Sequence, residues 1–329
     1  MLFQKKQYDM ISIGDATQDV YVMLDDACVQ KSKRDATTIC LPFGEKIPIK
    51  EPVRMVGGNA ANVAFGCKRL GLSTAYWGVL GDDDFGVFIR NELENAGVNV
   101  SLTTLQAKST TNYSTILLYR GERTILSYHA QRRYTAKKLP PTRWVYLTSM
   151  AQGYEKIWRA VIEGKQRYHY RIAINPGSRQ VEDGLRHWGW AIQSADVLIV
   201  NKHEAQILLS TSLSQESPLL KKLHALGCSL AVITHSREGA CGYDGTHGYR
   251  IDALPFKAVD STGAGDSFAS GLLSSLALGN HWRDALKWGI LNSGSVVSHI
   301  GPHNGLLNQR TLHEWEKKYK AIYSRSLSM

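Results

Sequence analysis

Short apolar runs alternate with helix-periodic segments through most of the chain. MISIG at 10–14, WVYL at 144–147, RIAIN at 171–175, DVLIVN at 196–201 and LAVIT at 230–234 read as strands, each ahead of a helix-like segment. That rhythm predicts a doubly wound α/β fold, a mostly parallel sheet flanked by helices. One helix is predicted to begin after Gly58, because Ala60, Val63, Ala64, Cys67 and Leu70 fall on one stripe and Gly71 stands where a stop belongs. Another stripe, Phe268, Ala269, Leu272, Leu273 and Leu276, starts behind a glycine pair. A further helix is predicted to end at Leu226, before Gly227.

Two regions break the rhythm. Residues 21–53 carry Pro42, Pro48 and Pro52 and little helical period. Residues 112–129 read as a hairpin, YSTILLY and TILSYH about the turn RGER. The prediction is a small β-sheet lid made of 21–51 and 109–134. It is added to an α/β nucleotide- and substrate-binding domain made of 1–20, 52–108 and 135–329. Closing such a lid over an acceptor would exclude water, and its exposed edge offers a second subunit a place to pair, so a homodimer through the lid is a further expectation.

The 329 residues, 43% hydrophobic and 21% charged, suit one large or two modest globular domains. No apolar run approaches the roughly 20 residues of a membrane span. The start, MLFQKKQYDMISIGD, lacks the apolar core of a signal peptide, so the expectation is a cytoplasmic protein with no membrane partner. Five cysteines, with no C-x-x-C pair, suggest neither a disulfide framework nor a zinc site. A net charge of +10 raises nucleic acid as a partner, but the Lys/Arg pairs at 5–6, 132–133, 137–138, 221–222 and 317–318 are scattered. They read as solvated faces, nucleic acid is not expected, and the positive field favours small anions such as nucleotides.

The densest chemistry lies in DSTGAGDSF, residues 260–268. Its glycines open the stripe at Phe268, where the first helical amides lack partners, the macrodipole is positive and no side chain blocks a ligand. Such a place attracts anions. Asp266 there has two readings, a cap for the helix or a carboxylate that takes a proton beside a bound anion. VGGNAAN at 56–62 is a second glycine pair opening a helix, with Asn amides suited to a polyhydroxylated ligand or to capping. VNKHEA at 200–205 puts Asn201 at a strand's carboxyl end and Glu204 three residues on. The pair suits hydrated Mg²⁺, and equally a capping box. VITHSREG at 232–239 ends a strand on Thr234, a candidate phosphate contact. The histidines at 129, 203, 235, 299 and 303 show no metal-ligand spacing and read as surface or core residues. No Walker-type loop occurs, and Phe268 occupies the third glycine position of a dinucleotide fingerprint.

Taken in order, these segments resemble the ribokinase-like, or PfkB family, carbohydrate kinases over nearly the whole chain. GGNAAN with the following RLG resembles the family's first signature and DSTGAGDSF its second; GDDDFG at 81–86, NKHE at 201–204 and GERTIL at 121–126 also match. The resemblance implies an ATP-dependent kinase that phosphorylates a primary hydroxyl of a small sugar. It implies Asp266 as catalytic base, with the Gly263, Ala264 and Gly265 backbone as anion hole. Asp19, Gly58, Asn59 and Asn62 match substrate-binding positions. Asn201, Glu204, Thr234, Gly239 and Asn292 match positions that bind ATP and its Mg²⁺, Glu204 through water, and Asp260 matches a K⁺-binding carboxylate. One departure stands out: Ser236 occupies a place where family members commonly have glycine. The chemistry fits, because phosphoryl transfer needs a base for the acceptor hydroxyl and fixed donors for the transferring group.

Three other readings share these motifs. A nucleoside kinase of the same family would phosphorylate a similar hydroxyl, and Tyr113, Tyr119, Tyr128 and Tyr134 in or beside the lid suit stacking on a base or packing the hairpin. A phosphosugar kinase would need extra cations, for which Arg120, Arg123, Arg132 and Arg133 are candidates, although STTNY at 109–113 lacks the arginine such members carry nearby. A ligand-binding regulator without catalysis is disfavoured by the intact Asp266 and its glycines.

Overall fold

A computed structural model describes residues 7–31, 37–120, 122–256 and 258–329. The Lys5–Lys6 pair, residues 32–36 of the expected lid and Gly121 of the hairpin turn lie outside the described residues. The strands are β1 (Tyr8–Ile13), β2 (Thr17–Met23), β3 (Cys28–Lys31), β4 (Thr37–Cys40), β5 (Val53–Gly57), β6 (Thr74–Trp77), β7 (Val79–Gly81), β8 (Thr104–Gln106), β9 (Asn112–Tyr119), β10 (Glu122–Tyr128), β11 (Thr142–Leu147), β12 (Arg171–Ile174), β13 (Val197–Asn201), β14 (Leu230–His235), β15 (Gly239–Tyr243), β16 (Gly248–Ile251) and β17 (Arg325–Ser326). The helices are α1 (Asn59–Arg69), α2 (Asp84–Asn95), α3 (Glu155–Tyr168), α4 (Ser178–Asp183), α5 (Leu185–Trp188), α6 (Lys202–Leu208), α7 (Glu216–His224), α8 (Ala264–Ala277), α9 (Trp282–Val296) and α10 (Gln309–Lys318).

Nine strands form one sheet in the order β17-β16-β15-β14-β13-β12-β11-β1-β6. From β6 to β14 the pairings are parallel; β15, β16 and β17 extend it antiparallel. The central strands are apolar on both faces, as a sheet covered on each side requires. Met10, Trp144 and Tyr146 look to a core shared with α1, α8 and α9, whereas Ile11, Val145 and Leu147 look to the other, with α3 and α7. The doubly wound architecture read from the sequence is the observed one.

Two of the five predicted strands do not lead into a helix. β1 passes to β2 through Gly14, Asp15 and Ala16 alone, and β14 turns into antiparallel β15 after a short helical turn. Three residues are too few for a crossover helix, and the β-branched and aromatic positions of 17–23 favour continued extension.

A separate four-stranded sheet has the order β10-β9-β2-β5. β9 and β10 form the hairpin, with Glu122 opposite Tyr119. The sheet reaches beyond the segments 21–51 and 109–134, because β2 starts at Thr17 and pairs with β9 on one side and β5 on the other. The proline-bearing stretch contributes a two-stranded ribbon of β3 and β4.

α8 runs between α1 and α9 and is buried from Asp266 through Ala277. Small residues allow this. A side chain at Gly66 of α1 would collide with the Ser270 side chain of α8, and one at Gly271 of α8 with the Trp288 backbone of α9, so α8 lies close against both neighbours. Burying Leu272 and Leu273, both at 0% exposure, contributes roughly 1.5–3 kcal/mol each and fixes where the helix begins.

Candidate active site

A cleft of about 1110 Å³ lies between the carboxyl ends of the parallel strands and the inner face of the four-stranded sheet. Successive strands each deliver a polar residue to it: Asp15 after β1, Ser149 after β11, Asn175 after β12, Asn201 from β13 and Thr234 from β14. This is the edge at which open α/β sheets bind ligands. Facing it, Thr17 and Asp19 of β2, Ser114 and Ile116 of β9, and Arg123, Ile125 and Ser127 of β10 share one face through the period-two alternation of strands. Register places Asp19 opposite Ser114, and Ser114 opposite Ser127.

Asp266 stands in the first turn of α8, 8% exposed. The N-cap of this helix is Gly263, with no side-chain cap, and the Asp266 carboxylate engages Asn62 instead: Asn62 Nδ2 donates to Asp266 Oδ2 at 2.7 Å. Burial raises the Asp266 carboxyl, the Asn62 hydrogen bond opposes the rise, and the charges of Glu204 and Asp19 add to it. The balance lies at about 7. The positive helix terminus would lower the value, so burial is the stronger effect. Gly263 has φ 73°, and a side chain there would press on Pro302, so the turn that presents the α8 amides is built for glycine. At Gly265 an added Cβ would meet nothing within 4 Å, which leaves backbone open to the cleft.

Asp19 is buried, accepts from Thr17 Oγ1 at 2.8 Å and lies so close to Gly57 that a side chain there would strike the carboxylate. Burial raises its carboxyl, against hydrogen bonds from Thr17 and Ser114 and with a further rise from Asp260. Gly58, Asn59 and Asn62 also line the cleft. Asn201 and Glu204 form a reciprocal capping box on α6: Asn201 Oδ1 accepts from the Glu204 amide at 2.9 Å, and Glu204 Oε2 accepts from the Asn201 amide at 2.8 Å. Both residues line the cleft as well. They offer only hard oxygen donors, and burial raises the Glu204 carboxyl, a cost that a divalent cation would offset. This donor set fits Mg²⁺.

Four expected site residues are placed elsewhere. Ala264, Gly239, Asn292 and Asp260 do not line the cleft. Asn292 is 0% exposed and donates to Ser267 O and Ser270 Oγ while accepting from the Leu307 amide, so it ties α9 to α8 and to the following loop. Asp260 accepts from Thr262 N and Oγ1 and from the Gly301 amide, which makes it the organiser of the turn before Gly263. Gly239, at φ 98°, is packed against the backbone after β16. Ser236 adopts φ 37°, the left-handed region that favours glycine; this is the position where the resemblance predicts one.

Five further residues belong to the site or its support. Asp15 is buried, and burial raises its carboxyl to about 7 against the opposing effects of Arg132 and a hydrogen bond from Tyr134. Tyr134 Oη also accepts from the Ala151 amide at 2.8 Å. Arg132 lines the cleft, although its guanidinium already donates to Ser109 Oγ, Thr110 O and Asn112 Oδ1. Asn175 donates to Ile199 O, and His303 contacts Asn62 Oδ1 at 2.9 Å. Asp15 and Asn175 were accessible to the rule that polar residues at strand ends face the ligand; Arg132 and Tyr134 were singled out only for a phosphosugar and for a base, and His303 only as a histidine without metal-ligand spacing. Of the candidate cations for a phosphosugar, Arg123 and Arg132 line the cleft and Arg120 and Arg133 do not. None of Tyr113, Tyr119, Tyr128 and Tyr134 lines it; Tyr113 stacks on Phe85 with centroids 5.6 Å apart.

A family model described as pfkB family carbohydrate kinase matches residues 21–309. The chain belongs to that family. As a pfkB-family kinase it is a phosphotransferase, and its fold is that of the ribokinases: the Arabidopsis thaliana ribokinase solved with ribose and ATP superposes with a TM-score of 0.77 at 18% identity, over 94% of this chain and 98% of that one. A putative ribokinase II of E. coli, solved with ATP and Mg²⁺, gives 0.76 at 15% identity, over 94% and 99%. In sequence the kinase is 31% identical over 267 residues to the aminoimidazole riboside kinase of Salmonella typhimurium, across 77% of this chain and 82% of that protein. It is 24% identical over 315 residues to the 5-dehydro-2-deoxygluconokinase of Bacillus licheniformis, across 90% and 91%. Among the described residues no helix is long and apolar enough to cross a membrane.

Proposed function

We propose that this pfkB-family kinase transfers the γ-phosphoryl group of ATP to a primary hydroxyl of a small sugar, with Asp266 as general base. One observation carries the reading: a buried carboxylate, held by Asn62 and raised to about 7, lines the cleft beside the glycine turn of α8. A base with a pKa near neutrality is well matched to its task. The acceptor hydroxyl gives its proton to Asp266 as its oxygen bonds to the γ-phosphorus. The bond from that phosphorus to the bridging oxygen breaks, and ADP leaves with the electron pair. The backbone at Gly263 and Gly265, which line the cleft, faces the charge on the transferring group. Mg²⁺, held by Glu204 with Asn201 beside it, would neutralise phosphate charge. Asp19 and Asn59 bind acceptor hydroxyls, and Thr234 lies at the nucleotide end of the cleft.

A riboside acceptor is the second reading, favoured by the 31% identity to the aminoimidazole riboside kinase. The four-stranded sheet serves as the lid. β10 is exposed throughout, with Ile125, Leu126 and Tyr128 among its bare side chains, which supports pairing with a second copy. An ADP-release screen with MgATP over pentoses, hexoses, phosphosugars and nucleosides tests the proposal. Release stimulated by a sugar or riboside is expected; stimulation by none of the four classes overturns it.

A further inference from the structure

His303 lies in the loop after α9 and does not line the cleft. Its ring packs on Phe65 of α1, with centroids 4.1 Å apart, and its Nε2 is 2.9 Å from Asn62 Oδ1. Asn62 in turn presents Nδ2 to Asp266 Oδ2 at 2.7 Å. The chemistry sets the direction of this chain. An ionised carboxylate only accepts, so the amide nitrogen faces Asp266, the amide oxygen faces His303, and Nε2 carries the hydrogen. Burial pushes the His303 imidazole down to about 3, so the ring is neutral and its single N–H is directed at Asn62.

The loop that carries His303 is held on both sides. The Gly301 amide donates to Asp260 Oδ2 at 2.9 Å, and the Leu307 amide donates to Asn292 Oδ1 at 3.0 Å. His303 is therefore a fixed donor. The groups acting on Asp266 do not favour the same state: Glu204 of α6 and Asp19 of β2 favour its protonated form, whereas the Asn62 amide favours the ionised one. An Asn62 amide turned over would place its oxygen against the carboxylate and its N–H₂ against the His303 N–H. That arrangement suits a protonated Asp266, which cannot act as a base.

We propose that His303 is a positioning residue for phosphoryl transfer: its Nε2–H locks the Asn62 amide so that Oδ2 of Asp266 is occupied and Oδ1 is left to take the acceptor's proton. The inference rests on the reading of Asp266 as base. It makes no demand on acceptor identity. Its effect belongs to the chemical step, because His303 stands behind Asn62 and does not line the cleft.

The test uses the full chain with MgATP and, as probes, D-ribose, D-fructose and adenosine, in wild type, His303→Met, His303→Gln and Asp266→Asn. His303→Met keeps bulk and loses the donor; it is expected to lower kcat at least about tenfold while acceptor KM stays within about twofold. Gln carries an amide N–H at a similar reach, and His303→Gln is expected to recover to within about threefold of wild type. If Met retains wild-type kcat, or Gln is as slow as Met, or the loss falls on KM, the inference is overturned while an inactive Asp266→Asn leaves the base reading standing. If Asp266→Asn keeps the wild-type rate, both fall. Independently of activity and of how the variants fold, NMR of the ring nitrogens in the wild-type protein is expected to find the neutral Nε2–H tautomer of His303. The Nδ1–H tautomer, whose Nε2 can only accept, would reverse the chain and overturn the inference.

Discussion

Asn62 and Asp266, 204 positions apart in sequence, are joined by a 2.7 Å hydrogen bond from amide to carboxylate. The contact links the first turn of α1 to the first turn of α8, so the two glycine-led helix starts converge on a single carboxylate. Either segment alone is compatible with an ordinary cap. Their contact aims Asp266 into the cleft and favours its ionised form.

Replacing Asp266 by Asn should lower kcat by about 10²–10⁴, the range for loss of a general base. Stability should hold or rise, since a carboxylate that burial has raised is replaced by a neutral amide. Steady-state kinetics with nucleotide-binding titration checks this: weakened ATP binding in step with kcat would assign Asp266 to binding.

The pH dependence has a definite sign. Asp266 must be ionised to accept a proton, so kcat/KM should climb with pH through about 7 and level off above it. Stability should run the other way. The folded value is raised above the ordinary 3.8, so the contribution of this group is present at low pH and is lost as pH rises through about 7, and Asp15 acts in the same sense. Thermal melts across that window should show the decline, and Asp266→Asn should make it shallower.

Gly263→Ala should damage both fold and rate. The new Cβ would sit 2.5 Å from Pro302 Cβ on a backbone with φ 73°, and strain of this kind costs on the order of 1–3 kcal/mol. Melting and kcat measured together decide it; an unperturbed pair of values would show that the turn can relax.

Asp19→Ala should raise the acceptor KM sharply and leave that for ATP near wild type, because an unpaired polar site discriminates strongly against its ligand. A change confined to the melting temperature would mean that Asp19 serves only its contact with Thr17.

The resemblance matches Asp260 to a K⁺-binding position, while its carboxylate is already engaged by Thr262 and Gly301. A K⁺ role predicts higher activity in potassium than in a bulky organic cation. Equal rates would leave Asp260 as the organiser of the turn alone.

The sequence carried the parallel sheet, the α1 and α8 stripes and the hairpin because each rests on a local period. It did not carry the extent of the second sheet. Thr17–Tyr21 pair with Val53–Gly57 and with residues 112–116, and no local signal encodes a strand's partner. The site shows the same division. Asp266, Asn201 and Glu204 were legible as helix-start chemistry, whereas Asn292 and Gly239 came from position in a pattern and lie in packed surroundings outside the cleft. Arg132 was named only as a cation for a phosphosugar and His303 only as a histidine without metal-ligand spacing, since each matters through what a distant segment places beside it.

The path from β1 to β2 is only Gly14, Asp15 and Ala16, and it joins the nine-stranded sheet to the four-stranded one. Asp15 belongs to the fixed side of this joint and Asp19, four residues on, to the other. A second short joint lies beside it, for Gly58 alone connects β5 of the smaller sheet to α1. Two short tethers on neighbouring strands β2 and β5 work like a pair of stays, holding the Asp19 face over the strand ends of the larger sheet.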